Sequence, residues 1–241
     1  MEYQQNTIIQ VREQQAAFIA KVYMWMSLAL VITGLTSYVT ATSPALLSLM
    51  FSVTEAGLKP TFLFYALILG ELGLVVFLSA AIQRMTGSLA TAVFLLYSFI
   101  NGMTLSMVFL AYTGSSIATT FFITAGTFAV MSLYGYYTKK DLTSWGRILF
   151  MALIGIIIAS LVNLFMRNAM MDWVISLVGV LVFVGLIAYD TQRLKMLGIG
   201  IGTDGDMENH RKASILGALT LYLDFINLFL FLLRFFGGNR K

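Results

Sequence analysis

Met85–Thr138, MTGSLATAVFLLYSFINGMTLSMVFLAYTGSSIATTFFITAGTFAVMSLYGYYT, contains no Asp, Glu, Lys, Arg or His. A helix crosses the hydrocarbon core of a bilayer in about 20 mainly apolar residues, so this stretch is too long for one crossing and long enough for two. Its natural break is Tyr112-Thr113-Gly114-Ser115, a cluster of turn-forming residues. The stretch therefore reads as two membrane helices, 88–111 and 116–137, joined by a tight turn. Outward from it, the same reading gives spans at 22–42, 61–82, 148–166, 173–194 and 213–233, seven in all. Both prolines, Pro44 and Pro60, fall in the connection after the first span and interrupt no helix. No long alternation of polar and apolar residues suggests a β-barrel.

The composition agrees. Of the 241 residues, 59% are hydrophobic and 11% charged, with a mean hydropathy of +0.86. A soluble domain carries about a quarter of its residues as Asp, Glu, Lys or Arg; a chain this poor in charge must turn most of its outer face to lipid. The expected fold class is an all-α polytopic membrane bundle of seven transmembrane helices. Residues 22–236 form the transmembrane domain, preceded by residues 1–21 as a cytoplasmic tail or, within 8–20 (IIQVREQQAAFIA), an interfacial helix. The N-terminus does not read as a cleaved signal peptide, because some twenty largely polar residues precede a run long enough to span. Zero cysteines exclude disulfides, thiol catalysis and thiolate metal sites. A net charge of +4 spread along the chain argues against a nucleic-acid partner.

Lys and Arg set the orientation, being enriched on the cytoplasmic side. With the N-terminus inside, the cytoplasmic face holds Arg12, Lys21, Arg84, Lys139, Lys140, Arg147, Arg193, Lys195, Arg211 and Lys212; the outer face holds Lys59, Arg167, Arg234, Arg240 and Lys241. This predicts a cytoplasmic N-terminus, while the last three cations leave open a final segment that loops back inside. Short loops and the lack of cysteine suit a bacterial plasma (inner) membrane.

Three acids sit where charge is costly. An ionised side chain at the centre of a membrane helix costs about 2.5–3.5 kcal/mol even on insertion scales, so Glu71, Asp190 and Asp224 are the most informative residues. Asp224 lies in LTLYLDFINLFLFLL, and Gly217, Thr220, Asp224 and Asn227 recur at spacings of three and four. They make one polar stripe on an otherwise apolar helix, which is expected to face the bundle interior. Asp190, in LIAYDTQRLK, lies near the cytoplasmic end of the preceding helix and is alternatively a local partner of Arg193. These two helices are consecutive and antiparallel: if the sixth runs on to about Met196 and the seventh enters near Leu216, both aspartates fall at a similar depth of about 9–12 Å, whereas a start at Ala213 separates them by several Å. Two carboxyl groups close together away from water compete for protons. Such a pair is a proton-sensitive switch and a transient site for a hard cation such as calcium. Glu71, in ALILGELGLVV, reads either as a further cation ligand or as a hydrogen-bonded structural group; Arg84, at the end of the same span, is either a latch on the aspartates or a positive-inside anchor.

With YDTQ (189–192) and LYLDFINLFLFLLRFF (221–236), the chain resembles the Bax inhibitor family of transmembrane proteins, whose bacterial members are similar in length. The likeness extends to the charge-poor middle, the GYYTKKDL loop and the glutamate of the second span. It implies a bundle with the seventh helix central and a pH-sensitive calcium leak controlled by two aspartates, matching Asp190 and Asp224. The family's second-span glutamate falls on Glu71, and its proposed latch arginine falls within a residue or two of Arg84.

The reading is thus a calcium leak channel gated by protonation of Asp190 and Asp224, opening in acid, with no cofactor and with calcium as the transported ion. Lipid, calcium and protons are its expected partners. The alternative is a non-transporting regulator that binds other membrane proteins. A third reading, an intramembrane aspartyl protease, needs the second aspartate in a GxGD motif on the next helix; here GTDGD ends at Asp206 in a polar loop and the membrane aspartate sits in YLDF. No residue is therefore assigned a catalytic role. Gly155 with Ala159, and Gly70 with Gly73, are spaced for close helix contact. Gly198, Gly200 and Gly202 suggest a flexible linker, Asp204, Asp206 and Glu208 only faintly echo a calcium loop, and His210 reads as a solvated loop residue.

Overall fold

The computed structural model describes residues 2–54, 57–202 and 207–238, and the side chains of 13–54, 57–199 and 207–238. Among them, seven helices are long and apolar enough to cross a membrane. These are α1 (Glu2–Thr42), α3 (Phe62–Ala81), α4 (Gly87–Ala111), α5 (Gly114–Tyr137), α6 (Thr143–Met166), α7 (Ala169–Gly202) and α8 (Met207–Phe236). Six of the seven expected spans fall inside one of them and the remaining one, 61–82, exceeds α3 by one residue at each end; the fold is an all-α polytopic membrane fold.

Three of the spans begin in the same way. The hydroxyls of Thr61, Thr86 and Thr113 accept hydrogen bonds from the backbone N–H groups of Phe64, Leu89 and Ser116, at 3.4, 3.2 and 3.3 Å. Each satisfies an otherwise unpaired donor of a first helical turn. The Thr113 cap lies in the expected turn between α4 and α5.

The connection after α1 is more ordered than a loop. Pro44 opens the short helix α2 (Pro44–Met50), and β1 (Phe51–Thr54) pairs antiparallel with β2 (Gly57–Pro60), Phe51 opposite Pro60 and Thr54 opposite Gly57. Gly57 takes a φ of 104°, a conformation that costs glycine little. Pro60 is tolerated because it ends its strand. Met50, Phe51 and Phe64 form a small apolar cluster at the base of this hairpin, the two phenyl rings 5.2 Å apart.

The helices fall into two compact units. The first contains α1 to α4 and Ile201–Leu219. Here α1 and α4 meet at Gly102, where a Cβ would collide with the backbone of Thr33 and the side chain of Thr36. The Thr33 hydroxyl donates to the Ser98 carbonyl at 2.9 Å beside this crossing. Small residues that let backbones approach are the usual means of packing helices in lipid.

The second unit contains α5, α6, most of α7 and α8 from Thr220. Gly135 of α5 lies against the Ala188 backbone, Gly146 of α6 against the Tyr189 ring, and Gly179 of α7 against the Phe231 ring. Phe225 packs edge-on against Phe121 and Phe128 of α5. By contrast, Gly70, Gly73 and Gly155 face open space. The small-residue pairs expected from spacing are therefore not helix contacts among the described residues, because spacing alone does not say which face a neighbour occupies.

Burial follows the same logic. Only 11% of the apolar window of α3, and of α6, is buried, against 61% for α8. Outward-facing residues include Phe62, Phe122 and Phe165, surfaces that suit hydrocarbon and not water. On α8 the polar stripe does not define a single inward face: Leu221, Tyr222 and Leu228 are fully buried as well. A helix apolar outside one narrow stripe and buried over most of its apolar window has other elements packed against it.

Candidate functional site: an aspartate pair on the last two helices

The YDTQ run of α7 is fixed residue by residue. Tyr189 fills the space left by Gly146, and the Thr191 hydroxyl lies 3.1 Å from that of Ser132. Gln192 accepts from the Leu142 N–H and donates to the Lys140 carbonyl, both at 2.8 Å, which clamps the backbone of the loop after α5. Three residues further on, Lys195 donates to the Tyr136 carbonyl at 2.7 Å. Among these anchors sits Asp190, whose carboxyl group lies beside that of Asp224 on α8, close enough for the two to interact directly.

The two carboxyls are 8% and 5% exposed, so little water reaches either. A hydrogen bond between two carboxyl groups requires one of them to hold a proton; with both ionised the contact becomes a repulsion. The Oδ2 atom of Asp224 is buried with no hydrogen-bond partner among the described residues. The cation whose charge acts on Asp190 is Arg193, itself exposed, three residues along the same helix. Of the remaining stripe, Asn227 donates to its own helix at Leu223 O, 2.8 Å away, and Thr220 is half-buried.

Glu71 is placed differently from an isolated ligand. Its carboxylate accepts from Asn101 Nδ2 at 2.9 Å and from Thr104 Oγ1 at 2.7 Å, both on α4. Neither partner stood out in the sequence, although their spacing of three on one helix was the available signal. Arg84 ends a 3-10 turn after α3 and is exposed. His210 is helical and half-buried, its ring 6.4 Å from that of Phe18, where a solvated loop residue was expected. Gly198, Gly200 and Gly202 belong to helix α7; alternate glycines cost helix stability but do not forbid it when the chain on one side is already helical. Asp204 and Asp206 lie outside the described residues. No three Asp, Glu, His or Cys side chains cluster to hold a metal ion among the described residues.

A family model described as "Inhibitor of apoptosis-promoting Bax1" matches residues 15–241. The chain belongs to the Bax inhibitor family. It is 50% identical to inner membrane protein YbhL of Escherichia coli strain K12, over 98% of this chain and 97% of that protein. An uncharacterized protein of Borreliella burgdorferi is 45% identical, covering 93% of each chain. An uncharacterized membrane protein of Streptococcus pyogenes serotype M1 is 36% identical over 92% of this chain and 93% of its own length. The family match and the seven apolar helices together make this an integral membrane protein, and none of these relatives carries the name of an enzyme.

Proposed function

We propose that this member of the Bax inhibitor family is a pH-sensitive calcium leak channel of a bacterial inner membrane, gated by protonation of Asp190 and Asp224. The observation that supports the reading is the close approach of two acids, Asp190 and Asp224, both buried and on consecutive membrane helices. Such a contact holds one proton and changes sign, from attraction to repulsion, when that proton leaves. Proton occupancy is thereby coupled to the packing of α7 against α8.

The unpartnered Oδ2 of Asp224 supports the cation role, since it offers an oxygen that the protein leaves unused. Calcium takes six to eight oxygen ligands, and two carboxylates supply too few for a resident ion. The pair therefore suits brief contact during passage. The closed state is the singly protonated pair, held by a charge-assisted shared proton beside the charge of Arg193; a second proton cancels the remaining negative charge, removes that charge assistance and opens the path, so acid raises flux. Arg193 takes the part of the local counter-charge, and Arg84 that of an anchor at the membrane edge.

Purified protein in liposomes loaded with a calcium-sensitive dye tests this. Wild type should leak faster in acid, and Asp190→Asn or Asp224→Asn should flatten the pH dependence, because an amide cannot exchange the shared proton. Variants that keep both the wild-type rate and its pH profile would end the proposal.

A further inference from the structure

At the other end of the second unit, α6 stops at Met166, α7 begins at Ala169 and α8 stops at Phe236. Between these ends lies a cavity of about 320 Å³, lined by Ser160, Asn163, Leu164, Arg167, Asp172, Ile175 and Arg234. This is separate from the aspartate pair and is large enough for a small headgroup. We propose that it binds the phosphodiester group of an anionic glycerophospholipid.

Charge is the first argument. Two guanidinium groups and one carboxylate leave a single positive charge, matched by the single negative charge of a phosphodiester. Arg234 makes one contact to Asp172, 3.3 Å between Nη1 and Oδ1, with both side chains 45% exposed. That single contact leaves most of the guanidinium donors of Arg234 for another acceptor. Arg167 has no ion pair among the described residues. Arginine recognises phosphate through paired, charge-assisted hydrogen bonds.

The second argument is the backbone. Arg167 has φ 50° and ψ 41°, and no other non-glycine residue takes a positive φ among the described residues. That conformation favours glycine or asparagine. An arginine here serves through its side chain, since a smaller residue would end the helix more easily. Asn163 holds the turn by accepting from the Asn168 N–H at 3.0 Å through its side-chain oxygen. Its amide nitrogen and the Ser160 hydroxyl make no hydrogen bond among the described residues, so two neutral donors join the two cations around the cavity.

The third argument selects lipid as the source of the phosphate. Leu164 lines the cavity, its chain neighbours Phe165 and Met166 and the nearby Met170 are exposed, and Trp173, next in sequence to the lining residue Asp172, is half-exposed with its ring 5.8 Å from that of Phe235. Tryptophan gathers at the level of lipid headgroups, and apolar side chains around a cationic pocket accommodate acyl chains better than water.

The test uses the full chain, delipidated in a maltoside detergent, with thermal unfolding followed as lipid is added. Dioleoylphosphatidylglycerol should raise the unfolding temperature, whereas dioleoylglycerol or inorganic phosphate alone should not. Arg167→Gly suits the backbone and should fold at least as well as wild type without lipid. It and Arg234→Gln should each raise the phosphatidylglycerol concentration needed for half the effect by about tenfold or more. Equal protection by dioleoylglycerol would remove the phosphate from the argument, and equal protection by inorganic phosphate would remove the lipid. Undiminished phosphatidylglycerol binding in the Arg167→Gly, Arg234→Gln double variant would overturn the site.

Discussion

Glu71 and Asp190 are both carboxyls inside membrane helices, yet their surroundings differ in kind. Glu71 has both oxygens engaged by neutral donors, Asn101 and Thr104, while Asp190 is engaged by a second acid. Neutral donors hold a carboxylate without competing for its proton; a second carboxyl group does compete. The two sites should therefore separate experimentally. Glu71→Gln can keep its oxygen on Asn101 Nδ2 and donate its amide to Thr104 Oγ1, whose own proton then goes to the Asn101 carbonyl 3.0 Å away, so the pairing survives loss of the acid. Stability, measured by thermal unfolding in detergent, should therefore change by less than about 1 kcal/mol, and the pH midpoint of the leak should stay where it is. A midpoint that moves with Glu71→Gln, and not with the aspartate variants, would transfer the proton switch to the first unit. Both acids were legible in the sequence because the cost of an ionisable group in lipid makes any such residue conspicuous. Asn101 and Thr104 were not, since neutral polar side chains are cheap enough to occur throughout membrane helices.

The helices themselves were legible for a related reason. Hydrophobic length is a local property, and each span announces itself without reference to its neighbours. Contacts between helices are not local: Gly155 and Gly146 lie on the same helix and look alike in the sequence, but the first faces open space and the second receives the Tyr189 ring. The hairpin of β1 and β2 escaped notice because four-residue strands around a turn carry too little alternation to register. At the element scale, then, glycine substitutions measure what the sequence withholds. Gly135→Ala would drive a methyl group into the Ala188 backbone, which cannot rotate away, and should cost about 1–3 kcal/mol by forcing α5 from α7. Gly155→Ala should be neutral or gain up to about 1 kcal/mol from helix propensity. Thermal unfolding of the two variants side by side tests the packing, and equal effects would contradict it. The clamp of Gln192 on the loop after α5 gives a second check. Gln192→Ala removes an acceptor for the Leu142 N–H and a donor to the Lys140 carbonyl, so trypsin should cut at Lys139 and Lys140 faster than in wild type. Unchanged cleavage would mean that the loop is held by something else.

For the molecule as a whole, seven helices are long and apolar enough to cross, and seven crossings would put Glu2 and Gly238 on opposite sides of the membrane. The inside-facing set of Lys and Arg numbers ten and the outside-facing set five when the N-terminus is cytoplasmic, a bias in the direction that orients membrane proteins. The last three cations weaken it, but α8 spans Met207–Phe236 with a mean window hydropathy of 2.0, long and apolar enough to cross. A helix of this kind looped back on itself would have to break in its apolar run, and α8 is unbroken. Because the chain has no cysteine, single cysteines report topology without background. Lys59→Cys, in the hairpin after α1, and Gly238→Cys, just past α8, should react with a membrane-impermeant maleimide added to spheroplasts. Asp141→Cys, in the loop after α5, should react only once the membrane is permeabilised. Labelling of Asp141→Cys alone in intact spheroplasts would invert the molecule; protection of Gly238→Cys together with labelling of Lys59→Cys would mean that the last helix does not cross. The second outcome matters more for mechanism, because an α8 that failed to cross would bring Asp224 in from the same side it leaves by, and a carboxyl pair reached from one side only could bind protons and calcium without ever passing calcium through.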